Sequence, residues 1–430
     1  MSRKVVLAYS GGLDTSVAVA WLREELGFEV VAVAVDVGQE ADFDQMQDRA
    51  LAAGAVDYVV IDAKDEMVTD FVTRAIAANA LYEGKYPLVS ALSRPVIVKH
   101  LVGQARRTGA VAVAHGSTGK GNDQIRFDVG TVSLAPDLEI VAPARVWGMT
   151  REQSLDYAAK RRIPLQASAS KLYSIDENLW GRAIECGVLE NPWEAPPEDV
   201  FGLTRPTRDE PSEVAVTFAG GIPVALDGRS MPLVQLIEDL GRLVGSYGYG
   251  RIDMVENRRV GFKSREVYEC PAALALILAH RDLESLTLER DLAHEKARLE
   301  PRWAELVYDG MWFSPLKDAM DAFFAASQGS VNGEVRLALA PGRCTVAGRR
   351  SESSLYDYGL ATYDAADRFR HEDGAGFSRI WGLSLANWSA KQGPGAPSAV
   401  GGPGESSAPG ATGESAGAGG QGGPGGTTGR

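Results

Sequence analysis

A chain of 430 residues, 45% hydrophobic and 23% charged, can form two or three domains and bury a sizeable core without help from metal or disulfides. Its three cysteines, Cys186, Cys270 and Cys344, stand alone with no CxxC pair, which argues against a zinc or redox motif and suits a reducing compartment. The net charge of −13 repels phosphate backbones and argues against nucleic acid as the main partner.

In chain order, the short apolar run at the N-terminus lacks the length and cleavage site of a secretory signal. No run of about 18 apolar residues follows, so no membrane is expected as partner and the expected location is cytoplasmic. VVLAYS (5–10) reads as a buried strand, and TSVAVAWLREELG (15–27) as a helix with Val17, Ala20, Trp21 and Leu22 inward. EVVAVAVDV (29–37) is a near-continuous apolar run, the pattern of a strand covered on both faces. A helix to about Ala53, a strand DYVVID (57–62), helices through much of 65–107 and a strand AVAVAH (110–115) complete the alternation. Such a rhythm predicts an α/β fold: a doubly wound parallel-sheet nucleotide-binding domain over 1–166, with ligands beyond the carboxyl ends of the strands.

From 167 to 376 shorter strands such as 212–221 mix with long helical stretches such as 272–299, which predicts an α+β domain. Residues 377–390 place Phe377, Ile380, Trp381, Leu385 and Trp388 at helical spacing, a C-terminal helix that packs on a core or docks on another subunit. The last 40 residues contain 15 Gly and 5 Pro, so the 391–430 segment is expected to be a disordered tail.

The strongest chemical signal is Ser10-Gly11-Gly12-Leu13-Asp14-Thr15-Ser16, set between a buried strand and a helix. Adjacent glycines let backbone N–H groups approach an oligophosphate, and the helix N-terminus adds partial positive charge. Ser10, Thr15 and Ser16 supply hydroxyls. Asp14 suits a hydrated Mg²⁺ that would itself contact phosphate. A Walker loop is excluded because no lysine is present, and a Rossmann fingerprint because the glycines are wrongly spaced. The pattern that remains resembles the SGGxD[ST] loop of ATP pyrophosphatases. Its plainer reading is a serine-glycine turn with a capping Asp or Thr.

The strand at 110–115 runs into Gly116-Ser117-Thr118-Gly119-Lys120-Gly121-Asn122-Asp123-Gln124-Ile125-Arg126. Three glycines with Thr, Asn, Asp and Arg within eleven residues are what a close-fitting pocket for an amino acid's carboxylate and amine needs. AHGSTGKGNDQIRF together with AYSGGLDTS closely resembles the argininosuccinate synthase family. The resemblance continues through segments 80–102, 171–190, 253–273 and 306–316, and covers roughly residues 4 to 390.

That resemblance implies an ATP-dependent ligase joining citrulline to aspartate through a citrulline-adenylate, with release of AMP and pyrophosphate and homotetramer assembly. It implies that Ala8, Tyr9, Ser10, Gly11, Gly12, Leu13, Asp14, Thr15 and Ser16 hold the ATP phosphates, and that Val35 and Gly116 line the nucleotide through backbone atoms. Thr118, Asn122 and Asp123 match aspartate-binding positions. Tyr86, Asn122, Arg126, Ser174, Glu256 and Tyr268 match citrulline-binding positions, with Ser90 beside them. Asp14, Asp123 and Arg126 are the catalytic candidates, Asp123 as base by position only.

Plainer readings stand beside these. Tyr86 and Tyr268 could be half-buried tyrosines, Arg126 a surface ion-pair partner, and Glu256 the partner of Arg258 or Arg259. Ser174 could be a helix N-cap, with Glu177 completing a capping box. Two positions depart from the family: Ala91 where a hydroxyl often follows Ser90, and Ala183 where serine is common. Each removes at most one hydrogen bond to citrulline, about 0.5–1.5 kcal/mol. Among alternatives, glutamine-fed relatives would need an amidotransferase segment, whereas Met1-Ser2 leads straight into the first strand. A pure nucleotide sensor would need no second cluster.

Overall fold

A computed structural model describes residues 3–164 and 173–394, and the chain divides into two compact units, residues 1–357 and 358–430. The first unit opens with five parallel strands: β1 (Arg3–Ala8), β2 (Phe28–Asp36), β3 (Asp57–Asp62), β4 (Ala112–Ala114) and β5 (Glu139–Val141), in the order β3-β2-β1-β4-β5. β1 is central, Val5 pairing with Val30 on one side and Ala112 on the other. Its two faces feed two different cores. Val6, Val31, Val33 and Val35 enter one, while Val5, Leu7, Val30, Ala32 and Ala34 enter the other. Both faces are covered, so the middle of β2, Val30–Val35, reads as a continuous apolar run with polar residues only toward its ends. Helix Leu13–Leu26 buries Val17, Ala20 and Leu22 as expected, while Trp21 lies partly buried, edge-on to Trp147 with ring centres 6.2 Å apart.

Beyond residue 173 the chain forms two antiparallel sheets. The first uses β6 (Ser174–Asn178), β7 (Gly181–Glu185), β11 (Arg251–Asn257) and β12 (Lys263–Glu269), in the order β11-β12-β7-β6. The second uses β8 (Ser212–Ala219), β9 (Ile222–Leu226), β10 (Arg229–Ser230), β13 (Gly333–Ala340) and β14 (Arg343–Arg350), in the order β10-β9-β8-β13-β14. Their apolar faces, with the helices of this half, share the core of one face of the parallel sheet. Val6 and Met67 belong to the same cluster as Val216, Leu276 and Val335.

Two local expectations need correction. The 272–299 stretch is two helices, Pro271–Thr287 and Arg290–Tyr308. Leu288 is extended between them, and the Glu289 carboxylate caps the second by accepting from the N–H groups of Asp291 and Leu292 (2.9 and 3.0 Å). Ser174 caps no helix, because it begins β6 opposite Glu185. The serine–acid spacing there serves a strand.

The second unit contains the helix His371–Gln392, with no buried residue. The 377–390 stripe is exposed along its length, from Trp388 at 52% to Ile380 at 77%. Phe377 and Trp381 stack with ring centres 5.7 Å apart. The 391–430 tail falls outside the described residues from 395 onward. Among the described residues no helix is long and apolar enough to cross a membrane.

Candidate active site

β1 ends at Ala8, and Tyr9 still donates its N–H to the Val33 carbonyl (2.9 Å) before the chain turns into helix Leu13–Leu26. Gly11 makes that turn at φ +70°, where a Cβ would stand 2.6 Å from Met46 Cγ. Backbone conformation and crowding therefore both require glycine. Gly12 is the N-cap and brings no side chain, so no cap occupies the first-turn N–H groups. Hydroxyls crowd the same end: Ser10 Oγ lies 3.2 Å from Thr15 Oγ1, and Ser16 Oγ lies 3.0 Å from the Tyr9 hydroxyl. Uncapped N–H groups, hydroxyls and the helix dipole converge on one spot, which suits an oligophosphate. Asp14 is exposed yet ringed by protein, which raises its pKa, while the charge of Arg151 acts in the opposite sense. Val35 lies in β2 with its carbonyl accepting from Gln39 Nε2 (2.9 Å).

The second loop begins beside the first. A Cβ on Gly116 would lie 3.0 Å from Thr15 Cγ2, so the two loops are in contact. His115 anchors this start: its ring stacks on Phe127, Nε2 is 2.8 Å from Asp128, and Nδ1 accepts from the Ser117 N–H (3.2 Å). Thr118 is exposed. Asn122 is buried at the start of helix Asp123–Leu134, its Nδ2 donating to the Tyr308 hydroxyl (2.7 Å) and its Oδ1 accepting from the Arg259 N–H (3.0 Å).

Two arginines hold Asp123. Arg94 donates through Nε and Nη2 (3.0 and 2.7 Å) and Arg126 through Nη1 (2.8 Å). Burial alone would raise this carboxyl, but the Arg94 and Arg126 charges outweigh it and hold Asp123 well below the usual carboxylate range. A carboxylate so held is a weak base and a firm anchor. Arg94 also donates to Asp176 (2.7 Å), which accepts from the Ser90 hydroxyl as well. Ser174 lies two residues before Asp176 on β6, hence on the same face of the sheet.

Next to this network is a buried aromatic box. Tyr86 and Tyr268 stack with ring centres 4.1 Å apart, and Tyr82 and Tyr308 at 3.6 Å. Glu256 accepts from the Tyr268 and Tyr308 hydroxyls (2.8 and 2.6 Å). Burial pushes its carboxyl up, and those two hydrogen bonds only partly offset the rise. The Tyr86 hydroxyl accepts from the Ser90 N–H (2.9 Å). Arg126 is buried, with its guanidinium 5.0 Å from the centre of the Tyr308 ring and its Nε donating to the Tyr308 carbonyl (3.1 Å).

The structure gives these residues buried settings. Tyr86, Tyr268 and Arg126 are buried, and Glu256 bonds tyrosines, while Arg258 pairs with Glu185 and Glu266, and Arg259 with Asp309. Sequence reasoning missed Tyr82, Tyr308, Arg94 and Asp176. Tyr82, Arg94 and Tyr308 lie in segments that carry the resemblance and Asp176 in another, but nothing local marks them as polar anchors. Ala183 faces the site's edge, paired with both Asp176 and Tyr268 across the sheet. Among the described residues no group of three or more His, Cys, Asp or Glu is placed to hold a metal ion.

Comparison with known proteins agrees with this arrangement. Residues 4–164 match the family described as "Arginosuccinate synthase N-terminal HUP domain", and residues 173–388 match "Arginosuccinate synthase C-terminal domain". A Brevibacillus brevis protein named argininosuccinate synthase is 54% identical over 383 residues, 88% of this chain and 91% of its own. Relatives of the same name from Bacillus pumilus and Bacillus velezensis are each 54% identical, over 385 and 384 residues, 89% of this chain and 95% of theirs. With both halves matched in order around one continuous set of polar anchors, the chain belongs to the argininosuccinate synthase family.

Proposed function

We propose that this protein ligates citrulline to aspartate with cleavage of ATP to AMP and pyrophosphate, as its family membership implies. The observation that carries the reading is the path of the 116–126 loop. It starts in contact with the Gly11–Thr15 loop and ends, at Asn122, Asp123 and Arg126, in the aromatic box. One short segment thus spans from a phosphate site to an amino-acid site, which a nucleotide sensor has no use for.

In this reading the Ala8–Ser16 loop binds the β- and γ-phosphates, and its preformed N–H groups stabilise the charge that grows on pyrophosphate as the α–β bridge breaks. Val35 and Gly116 flank the nucleotide. Asp14, at the start of the helix after the loop, would hold Mg²⁺ as an outer partner, the carboxylate being a suitable hard ligand for its hydration shell. The ion would neutralise phosphate charge there. Tyr86, Ser90, Ser174, Glu256, Tyr268, Asn122 and Arg126 hold citrulline so that its ureido oxygen faces the α-phosphorus, and the departing AMP oxygen is exchanged for the amine of aspartate. Thr118, Asn122 and Asp123 orient that amine, with Asp123 acting as an anchor rather than a base. The rest of the acceleration is positioning, because three ligands must meet in reactive geometry.

We further infer a nucleotide-binding domain over 1–166, a synthetase and multimerisation domain over 167–376, and a homotetramer to which the exposed 377–390 stripe contributes. A cytoplasmic location fits the three isolated cysteines. The test is pyrophosphate release with Mg-ATP, adding citrulline and aspartate separately and together. Strict dependence on citrulline, with argininosuccinate formed only when aspartate is present, is the expected outcome. No release from folded, ATP-binding protein would sink the reading.

A further inference from the structure

Beneath the first loop is a charge that the site described so far does not use. Arg49, on helix Phe43–Ala52, is 5% exposed, and the face it shares with Met46 and Ala50 is buried. No carboxylate oxygen among the described residues lies within 4.0 Å of its guanidinium, and its Nε is buried without a hydrogen-bond partner. Every other buried arginine or lysine near the site has an acidic partner, as Arg94 and Arg126 do with Asp123. Arg49 lies against the phenols of Tyr9 and Tyr58, with the Asp44 carboxylate also acting on Tyr58, and the Tyr58 hydroxyl is likewise buried and unpartnered.

A buried cation without a counter-ion is costly, and such groups ordinarily find an anion. Its position says where that anion sits. A Cβ on Gly11 would lie 3.0 Å from Arg49 Nη2, so the guanidinium is pressed against the back of the phosphate loop at its tightest turn. The next residue, Gly12, is the N-cap of helix Leu13–Leu26 and brings no side-chain cap.

We propose that Arg49 is a positioning residue for pyrophosphate chemistry: its charge, set against Gly11 with no carboxylate partner among the described residues, is neutralised by the oligophosphate bound on the loop. This rests on the reading of that loop as an ATP site and adds to it the residue that makes the loop selective for a polyanion. Arg49 touches the loop and acts through it. The low-polarity surroundings of Tyr9, Tyr58 and Met46 keep the attraction unscreened. An empty loop leaves the charge uncompensated, so the full pyrophosphate charge is favoured over a neutral ligand or a bare nucleoside.

The test is equilibrium binding to the full chain of inorganic pyrophosphate, ATP and adenosine, for wild type, Arg49→Gln and Arg49→Lys. Arg49→Gln is expected to weaken pyrophosphate and ATP by about tenfold or more while leaving adenosine unchanged, and Arg49→Lys to restore pyrophosphate to within about threefold. Pyrophosphate affinity unaltered in folded Arg49→Gln overturns the proposal. So does a parallel loss of adenosine affinity, which is the mark of a purely structural role. Wild type that binds neither pyrophosphate nor ATP sinks the parent reading, a result distinct from loss confined to the variant. Should Arg49→Gln not fold, a crystal structure of wild type with pyrophosphate decides. Phosphate on the Gly11–Gly12 amides, within roughly 8 Å of the guanidinium, supports the role. A carboxylate that has moved onto Arg49, or pyrophosphate seated elsewhere, refutes it.

Discussion

Asp123 illustrates how environment, not residue type, decides chemistry. Two guanidinium groups depress its pKa, so the carboxylate contributes stability that is present above about pH 4 and is lost as pH falls through its lowered folded value. Acid unfolding of Asp123→Asn, followed by circular dichroism, should accordingly differ from wild type near neutrality and converge with it at low pH. In kinetics the same variant should keep citrulline-dependent pyrophosphate release and slow the aspartate step by about 100-fold or more, through lost orientation. An unaltered second half-reaction would remove Asp123 from the mechanism. Tyr308 poses a similar case, since its hydroxyl donates to Glu256 and accepts from Asn122. Tyr308→Phe strands a buried carboxylate oxygen and an amide, so we expect a loss of about 1–3 kcal/mol in urea unfolding and a raised KM for citrulline with that for ATP little changed. A variant as stable as wild type would mean that water replaces the hydroxyl.

At the scale of elements, the site depends on how helix Arg290–Tyr308 ends against helix Asp123–Leu134. Gly310 closes that end at φ +77°, with its missing Cβ only 2.9 Å from Arg126 Cα. Gly310→Ala must push the turn away from the helix, strained in φ and blocked by backbone. It should cost more than about 1 kcal/mol and displace Tyr308 and Arg126 together. Thermal unfolding and citrulline KM would both register this, and an unchanged pair of values would show that the turn can move without the site. The break at Leu288-Glu289 has the opposite lesson. Residues 272–299 carry helix-forming residues throughout, yet the core needs two directions, and a carboxylate cap supplies the second start. Propensity is the weaker term wherever tertiary packing decides the path.

At the scale of the molecule, the helix His371–Gln392 exposes Phe377, Ile380, Trp381, Leu385 and Trp388 at helical spacing. An exposed apolar stripe is the kind of surface on which subunits dock, the role proposed above for this helix. A chain truncated before Phe377 should lose mass by whole subunits in light scattering relative to the full chain. Equal oligomeric mass would end the stripe's docking role. The charge of −13 opposes non-specific association of copies of this chain.

Sequence by itself determined the parallel sheet, because its first four strands announce themselves within a dozen residues, by period, by β-branched runs and by the SGGLDTS turn, while the short edge strand Glu139–Val141 carries no such signal. It also marked Asn122, Asp123, Arg126, Glu256 and Tyr268 as chemically useful, through segments long enough to carry a family pattern. What a short window holds, local sterics can enforce. Only the tertiary structure decided that Glu256 serves tyrosines rather than arginines, that Ser174 begins a strand, that Arg94 and Tyr308 join the same polar network, and that Arg49 has no carboxylate partner among the described residues. Those outcomes depend on side chains brought together from far apart in the chain, as Asn122 and Tyr308 are across 186 residues, and on which charges burial leaves facing one another. No period or motif encodes that meeting. It is set when the two halves close on their shared core.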